Sequence, residues 1–350
     1  MRIAITGATG TLGTALVRRL LAADARTEIM GLARRLPVGT TARSAGQGRL
    51  RWTTVDLGDE TCVPRLRAAF YDVDAVVHLA WGHSPADRTS RLERVGVGGT
   101  GRVMAAATSQ RVPHVVHLSS AAAYSPKVDD RPVGEAYPTG GIDGSAYSRH
   151  KVAVERLLDD EHPGLRGPAG GSGPPAVTRM RPGFAGHHPS SGDRAPGRRA
   201  VGWLPLLPLD RLLVLPVVHP DDVADAVVRA LVRRAAGSFN LAAPLPVTPP
   251  IIAAALGGRA VHVPAGIVRA VAAASWWSRV HPIDPGWVDL AMQVPLLDTG
   301  RAEAELGWSP VHGAEAVLSG LLATLRPTPA AGPRTEHRTG VDAGHGTDLR

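Results

Sequence analysis

The sequence predicts an α/β protein: a doubly wound parallel sheet followed by a smaller, mostly helical lobe. Three observations predict it. The chain enters a strand at once and turns through spaced glycines into a helix. Short apolar runs then alternate with helical patterns as far as Arg181, as parallel strands joined by right-handed crossovers do. Beyond about residue 184 the alternation stops and helical segments dominate.

The first thirteen residues organise the rest. Ile3, Ala4 and Ile5 read as a short buried strand, and Leu12, Leu16, Leu20 and Leu21 recur at helical spacing from a start near Gly10 to Thr11. Between them stands Gly7-x-x-Gly10-x-x-Gly13. Strand, glycine turn and helix N-terminus make a seat for an anion, because free backbone N–H groups and the positive end of the helix dipole face it. Gly7 is expected to turn the chain and Gly10 to let backbone approach a pyrophosphate. Gly13 is expected to let the helix pack closely on the strand, with Thr11 and Leu12 opening the helix beside the phosphates.

The later elements follow in order. Thr27 to Leu32 is a second strand, ending at Ala33-Arg34-Arg35, where an NAD-type site would place an acidic residue on the ribose 2′-hydroxyl. Arginines there suit a 2′-phosphate, so NADP is expected over NAD. Leu50 to Val55 is a third strand closing on Asp56-Leu57, and Asp74 to Ala80 is a fourth, nearly continuous in apolar residues. A helix over roughly 91–110 precedes a fifth strand, Val112 to Ser120, and a helix from Ser145 to about Asp160 precedes a sixth, Ala176 to Arg181. Asp221 to Arg234, Thr248 to Leu256, Gly266 to Ser278, Pro285 to Met292, Thr299 to Leu306 and Gly313 to Leu325 are helical. Ligands in such sheets bind outside the carboxyl ends of the strands, which gathers Gly7, Asp56, Ala80 and Ser120 in space.

This pattern divides the chain into a dinucleotide-binding unit over 1–183, with a flexible Gly/Pro-rich loop at 163–175, and a substrate lobe over 184–325. The segment 219–242 is expected to return to the sheet, and 326–350 to be a disordered tail.

Composition narrows the class. Apolar content of 44% and charged content of 20% belong to a folded globular protein. Val201 to Val218 comes nearest to a membrane span, but Pro205, Pro208, Pro216, Asp210 and Arg211 break it, so no membrane partner is expected. No secretory leader opens the chain, and Cys62 alone excludes an intrachain disulfide, so a cytoplasmic protein is expected. The net charge of +8 comes almost entirely from scattered arginines, and aromatics make up 4%; nucleic-acid binding is set aside on that ground. A homodimer is allowed by these features and not required. His187-His188 lacks a third ligand at useful spacing, so no metal is expected. Trp276-Trp277 is expected to pack within the C-terminal lobe.

The chemistry centres on Tyr147-Ser-Arg-His-Lys151. Spacing of i to i+4 puts phenol and ammonium on one helix face, where a lysine, with a cationic nicotinamide over the site, can stabilise phenolate and pull the tyrosine pKa toward neutrality. Ser120, at the end of the fifth strand, can bond the same substrate oxygen.

Together with the glycine turn, these residues resemble the extended short-chain dehydrogenase/reductase family, the NAD-dependent epimerase/dehydratase group. The resemblance is carried by Asp56-Leu57, Leu79-Ala80, Ser119-Ser120, Ala123-Tyr124, Tyr147/Lys151 and Arg181-Pro182-Gly183. Val218 to Ala224, Phe239-Asn240-Leu241 and Leu306-Gly307-Trp308 extend it to about residue 325. It implies Tyr147 as acid/base, Lys151 as its partner and ribose ligand, and Ser120 on the reacting oxygen. It further implies Asp56 and Leu57 at the adenine, Leu79 and Ala80 lining the cofactor, and Pro182 and Gly183 flanking the nicotinamide. One departure is Gly96-Val-Gly-Gly-Thr100, where the family usually has Asn-Val-x-Gly-Thr. The first functional reading is an oxidoreductase moving hydride between NAD(P) and a secondary alcohol or ketone of a small molecule. The second is a nucleotide-sugar epimerase or dehydratase on the same residues, and the third a non-catalytic NADP-binding protein.

Overall fold

The computed structural model describes residues 1–36, 48–82, 93–161, 174–185, 206–278 and 284–325. Its strands are β1 (Arg2–Thr6), β2 (Glu28–Ala33), β3 (Leu50–Thr54), β4 (Ala75–His78), β5 (His114–Leu118) and β6 (Ala176–Pro182). They continue with β7 (Phe184–Ala185), β8 (Leu206–Leu209), β9 (Val217–Val218), β10 (Gly237–Leu241) and β11 (Arg259–His262). Seven of these pair in parallel in the order β3-β2-β1-β4-β5-β6-β10. The sheet is the doubly wound one the alternation predicts. Its strand order reverses between β1 and β4, the place where such sheets open a crevice at their carboxyl ends.

Both faces are covered, and neighbouring residues of each strand serve opposite sides. Ile3, Ile5, Val77, Val116, Met180 and Phe239 join one core, with Leu16 and Leu20 of α1 (Thr11–Ala23). Ala4, Val76, Val115 and Val177 join the other, with Leu66 of α2 (Val63–Ala69), Met104 of α3 (Gly99–Ser109) and Leu158 of α4 (Ala146–Glu161). A strand buried on both faces is mostly apolar, which is why β1 and β4 read as near-continuous runs, while buried polar residues on β5 and β6 such as His117 and Arg179 break the pattern.

Segment 220–241 adds α5 (Pro220–Arg233) beside α1 and the edge strand β10 beside β6. Arg18 bonds Asp221 and Arg19 bonds Asp225 across the α1–α5 contact. The late motifs act as structural ties. Asn240 accepts from the Tyr124 hydroxyl at 2.7 Å, and its amide donates to the Val133 and Asp298 carbonyls. The buried Trp308 indole donates to the Asp222 carbonyl at 2.8 Å, while Gly307 turns the chain at φ +59°.

The remaining helices are α6 (Pro249–Ala255), α7 (Ala265–Trp277), α8 (Gly286–Gln293), α9 (Gly300–Leu306) and α10 (Ala314–Leu325). Two small parallel pairs, β8 with β11 and β7 with β9, lie outside the main sheet; the sequence pattern does not predict Arg259–His262 as a strand. Two further expectations are corrected. The helix expected over 91–110 becomes regular α-helix only at Gly99, after a π-helical turn over Glu93–Gly98, where glycines at 96 and 98 weaken the α-form. Trp277 is 84% exposed rather than packed. Loop 163–173, His187-His188 and the tail 326–350 lie outside the described residues. Among the described residues no helix is long and apolar enough to cross a membrane.

Candidate active site

The glycine turn is held by its neighbours. Gly7 takes φ +72°, and its N–H donates to the Leu32 carbonyl at 3.0 Å, fastening the turn to the end of β2. A side chain there would meet the Ala80 backbone nitrogen at 2.7 Å, so Gly7 also lets the end of β4 draw close. At Gly13 a Cβ would lie 2.3 Å from the Gly7 carbonyl oxygen and 2.7 Å from Ala8. The close approach is therefore to the turn rather than to the strand, a correction in detail to the role expected of Gly13.

Gly10 caps α1 with no side-chain hydrogen bond, and no acidic residue stands in the first helical turn, which begins Thr11-Leu12. That N-terminus is left for an outside anion, which fits a dinucleotide pyrophosphate.

Around it the expected residues converge by register. Thr6 aligns with Leu32 and His78, so the ends of β2 and β4 flank the turn. Arg34 and Arg35 are exposed just past β2. Asp56 is exposed past β3, its carboxylate accepting from the Gly58 N–H at 2.9 Å, and Leu57 is buried beneath it. The Leu79 N–H donates to the Thr6 carbonyl at 3.1 Å, and Ala80 follows at the crevice. Pro182 and Gly183 close β6 and are buried; the Gly183 N–H donates to Leu241, and a Cβ there would strike the Pro216 carbonyl.

The triad lies at the end of β5. Ser120 caps a short 3₁₀ turn, its Oγ accepting from the Ala122 N–H at 3.1 Å, and its side chain lies close to the Tyr147 hydroxyl. Lys151 is buried and donates from Nζ to the Leu118 carbonyl at 2.9 Å, with Nζ 5.7 Å from the centre of the Tyr147 ring. Tyr147 is walled by two indoles: Trp287 stacks on it at 5.3 Å, and Trp81 meets it edge-on at 5.6 Å.

Burial pushes the Tyr147 phenol above its ordinary value, and the Ser120 side chain only partly offsets that. Burial also brings Lys151 down to about 7, against the pull of Glu155. In the protein by itself the tyrosine is a firmly protonated acid, and the lysine rather than the tyrosine titrates near neutrality. His78, in line with Thr6 and bonded to it at 2.6 Å, is brought by burial down to about 3 and stays neutral.

Three contributors escape the sequence reading. Glu155 lies four residues past Lys151 on the same helix and is buried. It accepts from Ser119 at 2.5 Å, from Arg179 at 2.7 Å and from Arg181 at 2.9 and 3.0 Å. Burial alone would raise its carboxyl, but the Arg181 and Arg179 guanidinia and the Ser119 hydroxyl bring it down to about 2. Its i to i+4 step from Lys151 was the available signal.

Trp81 is the second. Its ring lies under the Lys151 ammonium, 3.9 Å from Nζ to the centroid. A Cβ on Gly96 would stand 2.9 Å from that ring, so the indole takes the space a side chain at 96 would need. This accounts physically for glycine in place of the family asparagine. Trp81 Nε1 is buried with no hydrogen-bond partner among the described residues. Trp287, the third, had no local signal.

One cluster able to hold a metal, His219, Asp221 and His312, exists among the described residues. It lies at the start of α5, with the two rings stacked at 3.9 Å and His312 bonded to Asp222 at 2.9 Å.

Comparison with known proteins agrees with this geometry. Residues 3–164 match the NAD dependent epimerase/dehydratase family. Uncharacterized proteins of Mycobacterium tuberculosis and Mycobacterium bovis are 28% identical over 346 residues, 96% of this chain. The chain spans about a third of those relatives' length, 31%. A UDP-glucose-4-epimerase from Stenotrophomonas maltophila, solved with NAD and formylated UDP-arabinopyranose, superposes with a TM-score of 0.68. It is 21% identical, and the match covers 93% of this chain and 98% of that one. The dTDP-glucose 4,6-dehydratase DesIV of Streptomyces venezuelae, solved with NAD, gives 0.66 at 22% identity, over 93% and 96% of the chains. Residues 3–164 thus match the model of the NAD dependent epimerase/dehydratase family, and the fold is similar to that of the solved UDP-glucose-4-epimerase and dTDP-glucose 4,6-dehydratase.

Proposed function

We propose that the protein is an NAD(P)-dependent oxidoreductase acting at a secondary alcohol or ketone of a small molecule, in the cytoplasm, as a monomer or homodimer. The observation that carries this reading is the meeting of Ser120, Tyr147 and Lys151 at the end of β5, next to the uncapped N-terminus of α1. Gly7, Gly10, Thr11, Leu12 and Gly13 would hold the pyrophosphate, Asp56 and Leu57 the adenine end, and Leu79, Ala80, Pro182, Gly183 and Lys151 the nicotinamide end. When bound, the dinucleotide supplies or takes up the hydride.

Ser120 Oγ and Tyr147 Oη together orient the substrate oxygen. In the reductive direction a proton passes from Tyr147 Oη to that oxygen as hydride reaches the carbon, leaving a secondary alcohol. The raised Tyr147 pKa keeps that proton in place at neutral pH. Lys151 stands near enough to stabilise the phenolate left behind and, with a pKa of about 7, to help return its proton. The indoles of Trp81 and Trp287 exclude water from the phenol.

The second reading, a nucleotide-sugar epimerase or dehydratase, is favoured by the family and by the named substrates of its solved relatives. Cofactor retained in stoichiometric amount through purification supports it, since such enzymes regenerate their cofactor at each turnover. For cofactor identity, Arg34 and Arg35 beside the turn support NADP, whereas the solved relatives carry NAD.

Tyr147→Phe tests the mechanism. Turnover of NADPH with a ketone should fall about 10²–10⁴-fold, the usual contribution of a positioned acid, with cofactor affinity unchanged. Retention of more than about a tenth of the rate contradicts the assignment.

A further inference from the structure

A cavity of about 200 Å³ lies between β8, α7 and α8 in the C-terminal lobe. Leu209, Leu213, Val268, Trp287, Ala291 and Met292 form most of its wall. The carboxylate that borders it, Asp210, is already engaged: one oxygen accepts from the Leu212 N–H at 2.9 Å and the other from the Ala265 N–H at 2.6 Å. Among the described residues no lysine or arginine lines it. The ion pair between the two helices, Arg269 with Asp289 at 2.7 Å, is closed on itself.

Trp287 joins this cavity to the chemistry. Its indole lines the cavity and stacks on the Tyr147 ring at 5.3 Å and 27°. Trp287 is thus the residue shared by the phenol's surroundings and this cavity, and a substrate that reaches both lies along its indole. A sugar diphosphate placed there would bring charges that need guanidinia or ammonium groups, and among the described residues this wall offers neither. Unpaired burial of such charge is strongly unfavourable, whereas apolar surface is welcome.

We propose that this cavity selects the substrate by its apolar tail, an aryl or alkyl group of about six to eight carbons, since a cavity of about 150 Å³ holds a benzene ring. The inference rests on the oxidoreductase reading for the position of the carbonyl, and it names the substrate class of that site as ketones or secondary alcohols with an apolar tail.

Calorimetric titration of the NADPH-bound protein tests it, with 4-phenylbutan-2-one, the series butan-2-one, hexan-2-one and octan-2-one, and UDP-glucose as probes. Saturable binding of the phenyl ketone is expected, with affinity rising about four-fold per methylene along the series and no binding of UDP-glucose. Ala291→Phe, and separately Val268→Phe from the facing helix, should each weaken the phenyl ketone at least about ten-fold by filling the cavity. The wild-type series needs no variant to fold. No saturable ketone binding, a flat series, or UDP-glucose binding in place of the ketone overturns the proposal. Ketone binding without NADPH oxidation overturns the oxidoreductase reading and leaves the apolar occupant standing.

Discussion

Around the glycine turn, and at Gly183, the closest contacts are made by backbone against backbone. Gly13 meets Gly7, Gly7 meets Ala80, and Gly183 meets Pro216, each leaving no room for a Cβ. In the C-terminal lobe the contacts are made by side chains, and loosely: α7 has no buried residue, and Ile267, Val271 and Trp277 on it are exposed. The difference teaches where each part of the function is encoded. A phosphate seat needs particular backbone conformations, so its residues are fixed at fixed spacing. The cavity proposed for the substrate needs only shape and polarity, and its walls come from segments 208–213, 265–268 and 287–292 with no motif among them.

The largest effect is expected where the two ends are tied together. Glu155 links α4, through Arg179 and Arg181 on β6, to Ser119 beside the catalytic serine. Glu155→Gln leaves the buried Arg181 guanidinium without its carboxylate and Arg179 with Asp159 alone, and should cost about 3–5 kcal/mol in denaturant unfolding. Its pH dependence has a defined sign. The folded carboxyl is held at about 2, below its ordinary 4.5, so its contribution is full above about 4.5 and is lost as pH falls toward 2. Wild type should therefore lose more stability over that interval than the variant. Equal acid profiles would show that Glu155 contributes no ionic stabilisation.

A smaller effect probes the lysine's surroundings. Gly96→Asn forces a Cβ against the Trp81 ring and should cost about 1–3 kcal/mol of stability by overpacking. With Trp81→Ala the two changes should cost less than their sum, as the pair shares one volume. Strict additivity would separate the indole from the missing asparagine.

The smallest sharpens cofactor choice. Arg34→Ala with Arg35→Ala should remove a preference for NADPH over NADH of about 1–2 kcal/mol, roughly ten-fold, measured by paired titrations. A wild type that prefers NADH removes the reading of these arginines as 2′-phosphate ligands.

How much of this was legible depended on whether a contact was local in sequence. The turn from Gly7 to Gly13 and the Tyr147/Lys151 pair read directly, because strand, turn and helix spacing place them. Six strands of the sheet read well because strands covered on both faces are mostly apolar, and the seventh lies in segment 219–242, expected to return to the sheet. Glu155 sat on the same helical step and was passed over, since its partners Arg179 and Arg181 come from a strand more than twenty residues away. The exchange of volume between Gly96 and Trp81 spans fifteen positions and has no periodic trace. Trp276-Trp277 drew notice as a doublet, yet Trp287, alone in sequence, is the tryptophan stacked on the phenol.

The division between a backbone-built cofactor seat and a side-chain-built substrate cavity is tested most directly by one titration of NADPH, followed by nicotinamide fluorescence. It compares wild type, Gly13→Val and Ala291→Phe, each shown to be folded by circular dichroism. The account predicts saturable binding in wild type, loss of that binding in Gly13→Val, where the added side chain drives α1 away from the turn, and wild-type affinity in Ala291→Phe. Undiminished binding by a folded Gly13→Val protein would contradict it.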